Sequence, residues 1–244
     1  MKSKIISVLL VFMLGFTITG CSRNESNTNT DKESNEISDT NVSNDTTSDS
    51  KSERDENSLV LESYKSVLEN KENFFSTDND KSVSLNDFLI NNGIYEATFK
   101  LTHFAVLDLD GDKIPEVVLE LTVGDNVEFY EVLHNVNGKV NGYLRVLRGL
   151  GQLKEDGTYM YSSGASDWGF AKLKFEANGT ITDDKLGYCE PNQNSDSTTE
   201  SYFIQNKSTT EDLFKSFVDE QNRKKEVVWY DFSQDNIGKL LSTK

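Results

Sequence analysis

The sequence has few of the residues that carry thiol or imidazole chemistry. Among its 244 residues are two cysteines, Cys21 and Cys189, and two histidines. Because only Cys189 lies beyond the N-terminal region, the chain excludes a disulfide-stapled domain and a zinc site built of several cysteines. An activated thiolate is not indicated either, since the acidic Glu190 is adjacent to Cys189 and no basic residue is.

Positive charge is scarce as well. The chain has 25 Lys and Arg against 41 Asp and Glu, a formal net charge of −16. Such an excess of negative charge repels phosphate backbones and anionic lipid headgroups, so it argues against a nucleic-acid partner and against direct adhesion to a membrane. The sequence also lacks a nucleophile elbow, a phosphate-cradling glycine loop and a His-x-x-x-His zinc pattern.

Long apolar runs are missing except at the N-terminus, where Ile5 to Phe16 is mostly apolar. Twelve residues are too few for a transmembrane helix, which needs about 20. Lys2 and Lys4 precede the run. A charged start and a short apolar run are typical of a secretory signal peptide, which we assign to residues 1–20.

The end of this segment, Ile18-Thr19-Gly20-Cys21, resembles the lipobox of bacterial lipoproteins. The resemblance implies cleavage before Cys21, a lipid on its thiol and anchorage to the extracytoplasmic face of the cell membrane. The alternative is an ordinary signal peptide with a chance cysteine. As a whole, the chain resembles surface lipoproteins of Gram-positive bacteria that have no assigned activity.

The segment 21–57 is predicted to be the lipidated cysteine followed by a disordered acidic linker. It is rich in Ser, Asn, Thr, Asp and Glu, and Ile37 and Val42 are its only aliphatic residues. It cannot bury enough apolar surface to offset the entropy of ordering. Residues 58–244 remain, which is long enough for one globular domain.

The pattern of residues 58–244 predicts an α+β fold. Apolar residues have helical spacing over 58–75 and 85–90, and capping signals at Ser208 and Ser233 predict C-terminal helices. Between them, strand-like segments are separated by short turns such as Asn137-Gly138, which favour antiparallel neighbours. We therefore expect a single domain with an antiparallel meander sheet and helices at both termini.

The most informative motif is the acidic stretch from Asp108 to Glu116, Asp-Leu-Asp-Gly-Asp-Lys-Ile-Pro-Glu. Apolar, strand-like segments flank it, so we expect a turn between two strands. Three aspartates at every second position and a fourth acid would repel one another without a cation. Oxygen ligands at this density favour Ca²⁺.

The stretch resembles the calcium loops of integrin-type and related bacterial surface repeats, and the first half of the EF-hand loop. The resemblance implies that the ligands are Asp108, Asp110, Asp112, the carbonyl of Ile114 and Glu116. It departs from the EF-hand at position six, which is Lys113 instead of Gly, and at position twelve, which is Leu119 instead of Glu. The alternative is an ordinary solvated acidic turn.

Catalytic residues are not indicated by any complete motif. His103 lies in an apolar strand pattern, which favours a hydrogen-bonded core histidine. Glutamates 120, 128 and 131 lie on predicted strands, where exposed charges are the default.

We therefore predict a non-enzymatic, membrane-anchored lipoprotein with a structural Ca²⁺ site. Two alternatives stay open. The first is a ligand- or glycan-binding surface module that uses exposed aromatics such as Trp168, Tyr161 and Phe170. The second is a hydrolase that uses a pair of carboxylates in a cleft.

Overall fold

A computed structural model describes residues 47–93, 98–192 and 199–242, with side chains from residue 57 onward. The predicted signal peptide, Cys21 and the first part of the predicted linker lie outside the described residues. Four helices are present in the described ranges: α1 (Thr47–Leu68), α2 (Leu85–Ile90), α3 (Glu211–Asn222) and α4 (Gln234–Leu240). None of them is long and apolar enough to span a membrane.

Helix α1 differs from the sequence prediction at both ends. It begins inside the segment predicted as linker, and it ends before Phe74 and Phe75, which belong to a strand. Of the two predicted caps, Ser233 is confirmed, whereas the cap of α3 is Thr210, two residues after the predicted Ser208. The side chain of Thr210 accepts a hydrogen bond from the Leu213 N–H at the start of α3, and that of Ser233 accepts one from the Asn236 N–H at the start of α4.

The strands form two sheets, where the sequence predicts one. The seven-stranded sheet has the order β12-β3-β4-β5-β6-β1-β2, and the five-stranded sheet has the order β11-β10-β9-β8-β7. Their bounds are β1 (Phe74–Ser76), β2 (Lys81–Val83), β3 (Lys100–Leu107), β4 (Glu116–Val123), β5 (Asn126–Val136), β6 (Lys139–Val146), β7 (Tyr159–Gly164), β8 (Asp167–Phe175), β9 (Ile181–Pro191), β10 (Glu200–Ile204), β11 (Lys207–Thr209) and β12 (Tyr230–Asp231).

Neighbouring strands are antiparallel except β1 and β6, which are parallel. The predicted Asn137-Gly138 turn joins β5 and β6, with φ of 52° and 81° at its two residues. Both residues need the left-handed region in this tight turn, which Asn and Gly tolerate best. The mixed class of helices and strands, mostly strands, is therefore confirmed.

The larger sheet has an apolar core on each face because its inner strand β4 is buried on both. Val117, Leu119 and Leu121 alternate with Val118 along the strand. The first three pack in a cluster with apolar residues of α1, α2 and α4. Val118 packs in a second cluster that includes Tyr159, Ala171 and Leu173 of the smaller sheet. Helix α3 packs on the other face of the smaller sheet, against β9 and β10.

Candidate metal centre

The acidic loop joins the end of β3 to the start of β4. Leu107 and Glu116 face each other as the last pair of the β3–β4 ladder, so the loop is closed at its base by a strand pair. The prediction of a turn between two strands is confirmed. The loop is held by hydrogen bonds in which each aspartate side chain accepts from the backbone N–H of a residue a few positions later.

Asp108 makes two of these bonds. Its Oδ1 accepts from the Gly111 N–H at 2.7 Å and its Oδ2 from the Lys113 N–H at 3.0 Å. Asp110 Oδ1 accepts from the Asp112 N–H at 3.1 Å, and Asp112 Oδ1 accepts from the Ile114 N–H at 2.7 Å. Each carboxylate has about four lone-pair sites, so these bonds leave lone pairs for a cation.

The loop wraps because two of its residues have positive φ, Gly111 at 90° and Lys113 at 74°. Position six of the loop therefore has the left-handed backbone that glycine favours, although it is a lysine. The departure from the calcium-loop pattern at Lys113 is one of residue type and not of conformation. The carbonyl of Lys113 also accepts a hydrogen bond from the Asn57 side chain at 3.0 Å, which ties the loop to α1.

Three of the predicted ligands converge. Asp108, Asp110 and Glu116 each place one carboxylate oxygen within 4.8 Å of the others. Because Ca²⁺ lies 2.3–2.6 Å from each ligand, oxygens on opposite sides of one ion are about 5 Å apart. The three carboxylates could hold one metal ion. Asp112 is not in this group, and its side chain lines a neighbouring cleft with that of Ile114.

Glu116 is the buried member of the group, with no exposed surface. Its Oε2 accepts a hydrogen bond from the Leu109 N–H at 2.8 Å, and its Oε1 lies 3.0 Å from Nδ1 of His134 on β5. Burial raises the pKa of Glu116 to about 7, although both contacts oppose the rise. An ionised Glu116 is therefore costly in the ion-free protein, and a cation would offset that cost.

His134 is a member of this site to which the sequence pattern assigns no role. Its ring stacks on Phe175 of β8, with centroids 3.8 Å apart and planes 4° from parallel. The stacking fixes the ring beside Glu116, so His134 acts as a positioning partner of that carboxylate. The two residues are 18 positions apart and meet only because β4 and β5 pair.

A cleft of about 730 Å³ lies beside the loop. Its walls come from α1, the acidic loop, the β5–β6 hairpin and the turn after β8, and they include Leu59, Ser63, Asn135 and Glu176. Leu59 is a large apolar side chain that is 75% exposed at this cleft.

Several other sequence interpretations are corrected by the structure. His103 is not a core residue: its side chain is 40% exposed and its two ring nitrogens lie 2.8 Å from Glu120 and 3.3 Å from Asp231. Phe170, expected among the exposed aromatics, is buried. Glu131, expected on an exposed strand face, is fully buried, and neither of its carboxyl oxygens has a hydrogen-bond partner within the described part of the chain.

No protein-family model matches this chain, and neither a curated protein nor a solved structure matches it.

Proposed function

We propose that this protein is a non-catalytic lipoprotein anchored at the extracytoplasmic face of the cell membrane, and that its acidic loop holds a structural Ca²⁺ ion. The observation that carries the calcium proposal is the convergence of Asp108, Asp110 and Glu116 within 4.8 Å. The lipid anchor rests on the lipobox-like sequence that ends at Cys21. From residue 58 onward we propose a single α+β domain.

The donor set favours Ca²⁺ over other common metals. The three side chains offer only carboxylate oxygens, which are hard ligands suited to Ca²⁺, Mg²⁺ and Mn²⁺. Mg²⁺ requires oxygens at 2.0–2.1 Å, so opposite ligands are only about 4.2 Å apart. Oxygens that lie within 4.8 Å of one another leave room for the larger ion, and Mg²⁺ in addition tends to keep several of its waters instead of taking an all-protein site. Asp112, the Ile114 carbonyl or water would supply further oxygens.

A structural role follows from the position of the site. Asp108 and Asp110 follow β3, whereas Glu116 is the first residue of β4. One ion bound to all three would tie the ends of two neighbouring strands of the larger sheet and offset the repulsion between the three carboxylates. The affinity is expected in the range of extracellular modules, roughly 10⁻⁴ to 10⁻³ M.

Calorimetric titration tests the calcium proposal. The chelator-treated protein should bind about one Ca²⁺ and bind Mg²⁺ at least tenfold more weakly. If millimolar Ca²⁺ produces no heat of binding and no change in Tm, the loop is an ordinary acidic turn.

The lipid anchor is tested separately with Cys21→Ala. This variant should be released to the medium or remain unprocessed, because the acylated thiol is lost. A variant that is still processed and needs detergent for extraction would refute the anchor.

A further inference from the structure

A small pocket lies between α3 and the smaller sheet, apart from the acidic loop. Its volume is about 230 Å³. The sheet contributes Trp168, Glu200 and Tyr202. Helix α3 contributes residues that recur every three or four positions and so lie on one face of the helix: Glu211, Phe214, Lys215, Val218 and Asp219.

The register of three neighbouring strands creates the pocket. Trp168 of β8 and Tyr202 of β10 both pair with Cys189 of β9, so the three side chains form one row on the same face of the sheet. The outer two strands are about 10 Å apart, since neighbouring strands are separated by about 4.8 Å. Cys189 is small and buried, which leaves a slot between the two large rings.

Phe214 of α3 packs into this slot between the two rings and is itself one of the residues that line the pocket. Its ring centroid is 5.4 Å from that of Trp168 and 5.3 Å from that of Tyr202. The planes are inclined to each other by 57° and 33°, so the rings do not stack flat. Phe214 is buried, whereas Trp168 and Tyr202 keep part of their surface exposed.

The mouth of the pocket is acidic. The described residues that line the pocket include Glu200, Glu211, Asp219 and a single cation, Lys215, which pairs with Glu211 at 2.6 Å. Glu200 also accepts a hydrogen bond from the Tyr202 hydroxyl at 2.9 Å, which orients that ring. Three acids and one base leave an excess of negative charge beside three aromatic rings.

We propose that this pocket binds a small organic ammonium cation, such as a quaternary ammonium group. Aromatic walls attract cations through the negative faces of their rings, and quaternary ammonium ligands are recognised by such cages. Glu200 and Asp219 form no ion pair with a cation in the described part of the chain, so they favour a positive charge and disfavour ligands that carry their own phosphate or carboxylate. The site gives the protein a ligand-binding role that is independent of the calcium loop.

Fluorescence titration of the full-length protein provides the test, in a detergent without an ammonium group. The chain has two tryptophans, so Trp229→Phe leaves Trp168 as the only reporter. Choline and tetramethylammonium should change its emission in a saturable way. The neutral isostere 3,3-dimethylbutan-1-ol should bind about tenfold more weakly, and phosphocholine should also bind more weakly than choline.

Two variants separate the aromatic and acidic contributions. Tyr202→Leu should weaken choline binding by about tenfold. Glu200→Gln retains an acceptor for the Tyr202 hydroxyl and should weaken binding by roughly threefold to tenfold. Glu190→Gln is the matched control. It removes the same negative charge, but Glu190 is the residue after Cys189 and therefore lies on the opposite face of β9 from the pocket.

Four results would overturn the proposal. The first is no saturable response to choline at tens of millimolar. The second is equal binding of choline and its neutral isostere, which would show a merely apolar pocket. The third is phosphocholine binding at least as tight as that of choline. The fourth is a Glu190→Gln effect equal to that of Glu200→Gln. Either of these two would remove the role of the acidic mouth.

Discussion

Replacing Asp110 with Asn should abolish most of the calcium-dependent stabilisation without harming the calcium-free protein. Asp110 is the best position for this test because its Oδ1 accepts one backbone hydrogen bond, from Asp112, which an amide oxygen can also accept. Asp108 accepts two such bonds, so its replacement would also disturb the loop. The change therefore removes a charge and leaves the local fold in place.

Two opposing effects determine how Asp110→Asn changes the stability: the loss of calcium binding and the relief of charge repulsion. At a free Ca²⁺ concentration of 100 Kd, binding to the folded state adds about 2.7 kcal/mol to the free energy of unfolding. For a domain of this size, that corresponds to a rise in Tm of about 5–11 °C. Without calcium, two charges no more than 4.8 Å apart repel by at least about 3 kcal/mol at an effective dielectric constant of about 20.

That repulsion is partly screened, because Asp108 and Asp110 are partly exposed. Burial is the main cause that raises the pKa of Asp110, and the carboxylates of Asp112 and Asp108 raise it further. We therefore expect Asp110→Asn to gain about 1 kcal/mol in chelator. The variant should melt at or above the wild-type Tm without calcium and below it with calcium.

Scanning calorimetry of both proteins in chelator and in calcium measures the two effects together. Asp125→Asn is the control, since Asp125 is an exposed acid in the β4–β5 turn. It should leave the calcium-dependent rise unchanged. If Asp110→Asn keeps the full rise, or if the wild-type Tm is the same in chelator and calcium, the loop does not hold a structural ion.

Three further predictions concern the fold around the site. Burial raises the pKa of Glu131 well above its ordinary value of 4.5, so the contribution of this residue to stability should be largest below about pH 4.5 and should fall as the pH rises towards its folded-state pKa. Glu131→Met should flatten that pH dependence and add about 1–3 kcal/mol to the free energy of unfolding at neutral pH. Glu128 is exposed, so Glu128→Met should change it by less than about 0.5 kcal/mol. Urea titration at several pH values measures both, and an unchanged pH dependence in Glu131→Met would contradict the prediction. A methyl group at Gly142 would overlap the Glu131 carboxyl and the ring of Phe74 on β1, so Gly142→Ala should lower the free energy of unfolding by about 1–3 kcal/mol. Gly238 on α4 faces open space, so Gly238→Ala should raise it by about 0.5–1 kcal/mol. Chemical denaturation measures both, and equal effects would count against this packing. Deleting residues 22–46 should leave the Tm unchanged, because α1 begins after them, and a clear drop would show that they contribute to the fold.

Local signals account for what the sequence determined by itself. The acidic loop between two strands, the Asn137-Gly138 turn and the Ser233 cap all depend on residues within a few positions of each other. Each such signal acts through the backbone conformation that those residues favour, so it can be recognised without knowing the rest of the fold. The same locality explains why three of the carboxylates predicted to bind calcium do converge.

Strand pairing and packing decided the rest. Strand pairing places His134 beside Glu116 and Glu131 beside Gly142. It also places Trp168 and Tyr202 on either side of Cys189. In each case the residues are far apart in the sequence. Alternation along a strand predicts which residues share a face, but it does not say which face another sheet or helix will cover. The division into two sheets, and with it the burial of each face, was therefore decided only by the tertiary structure.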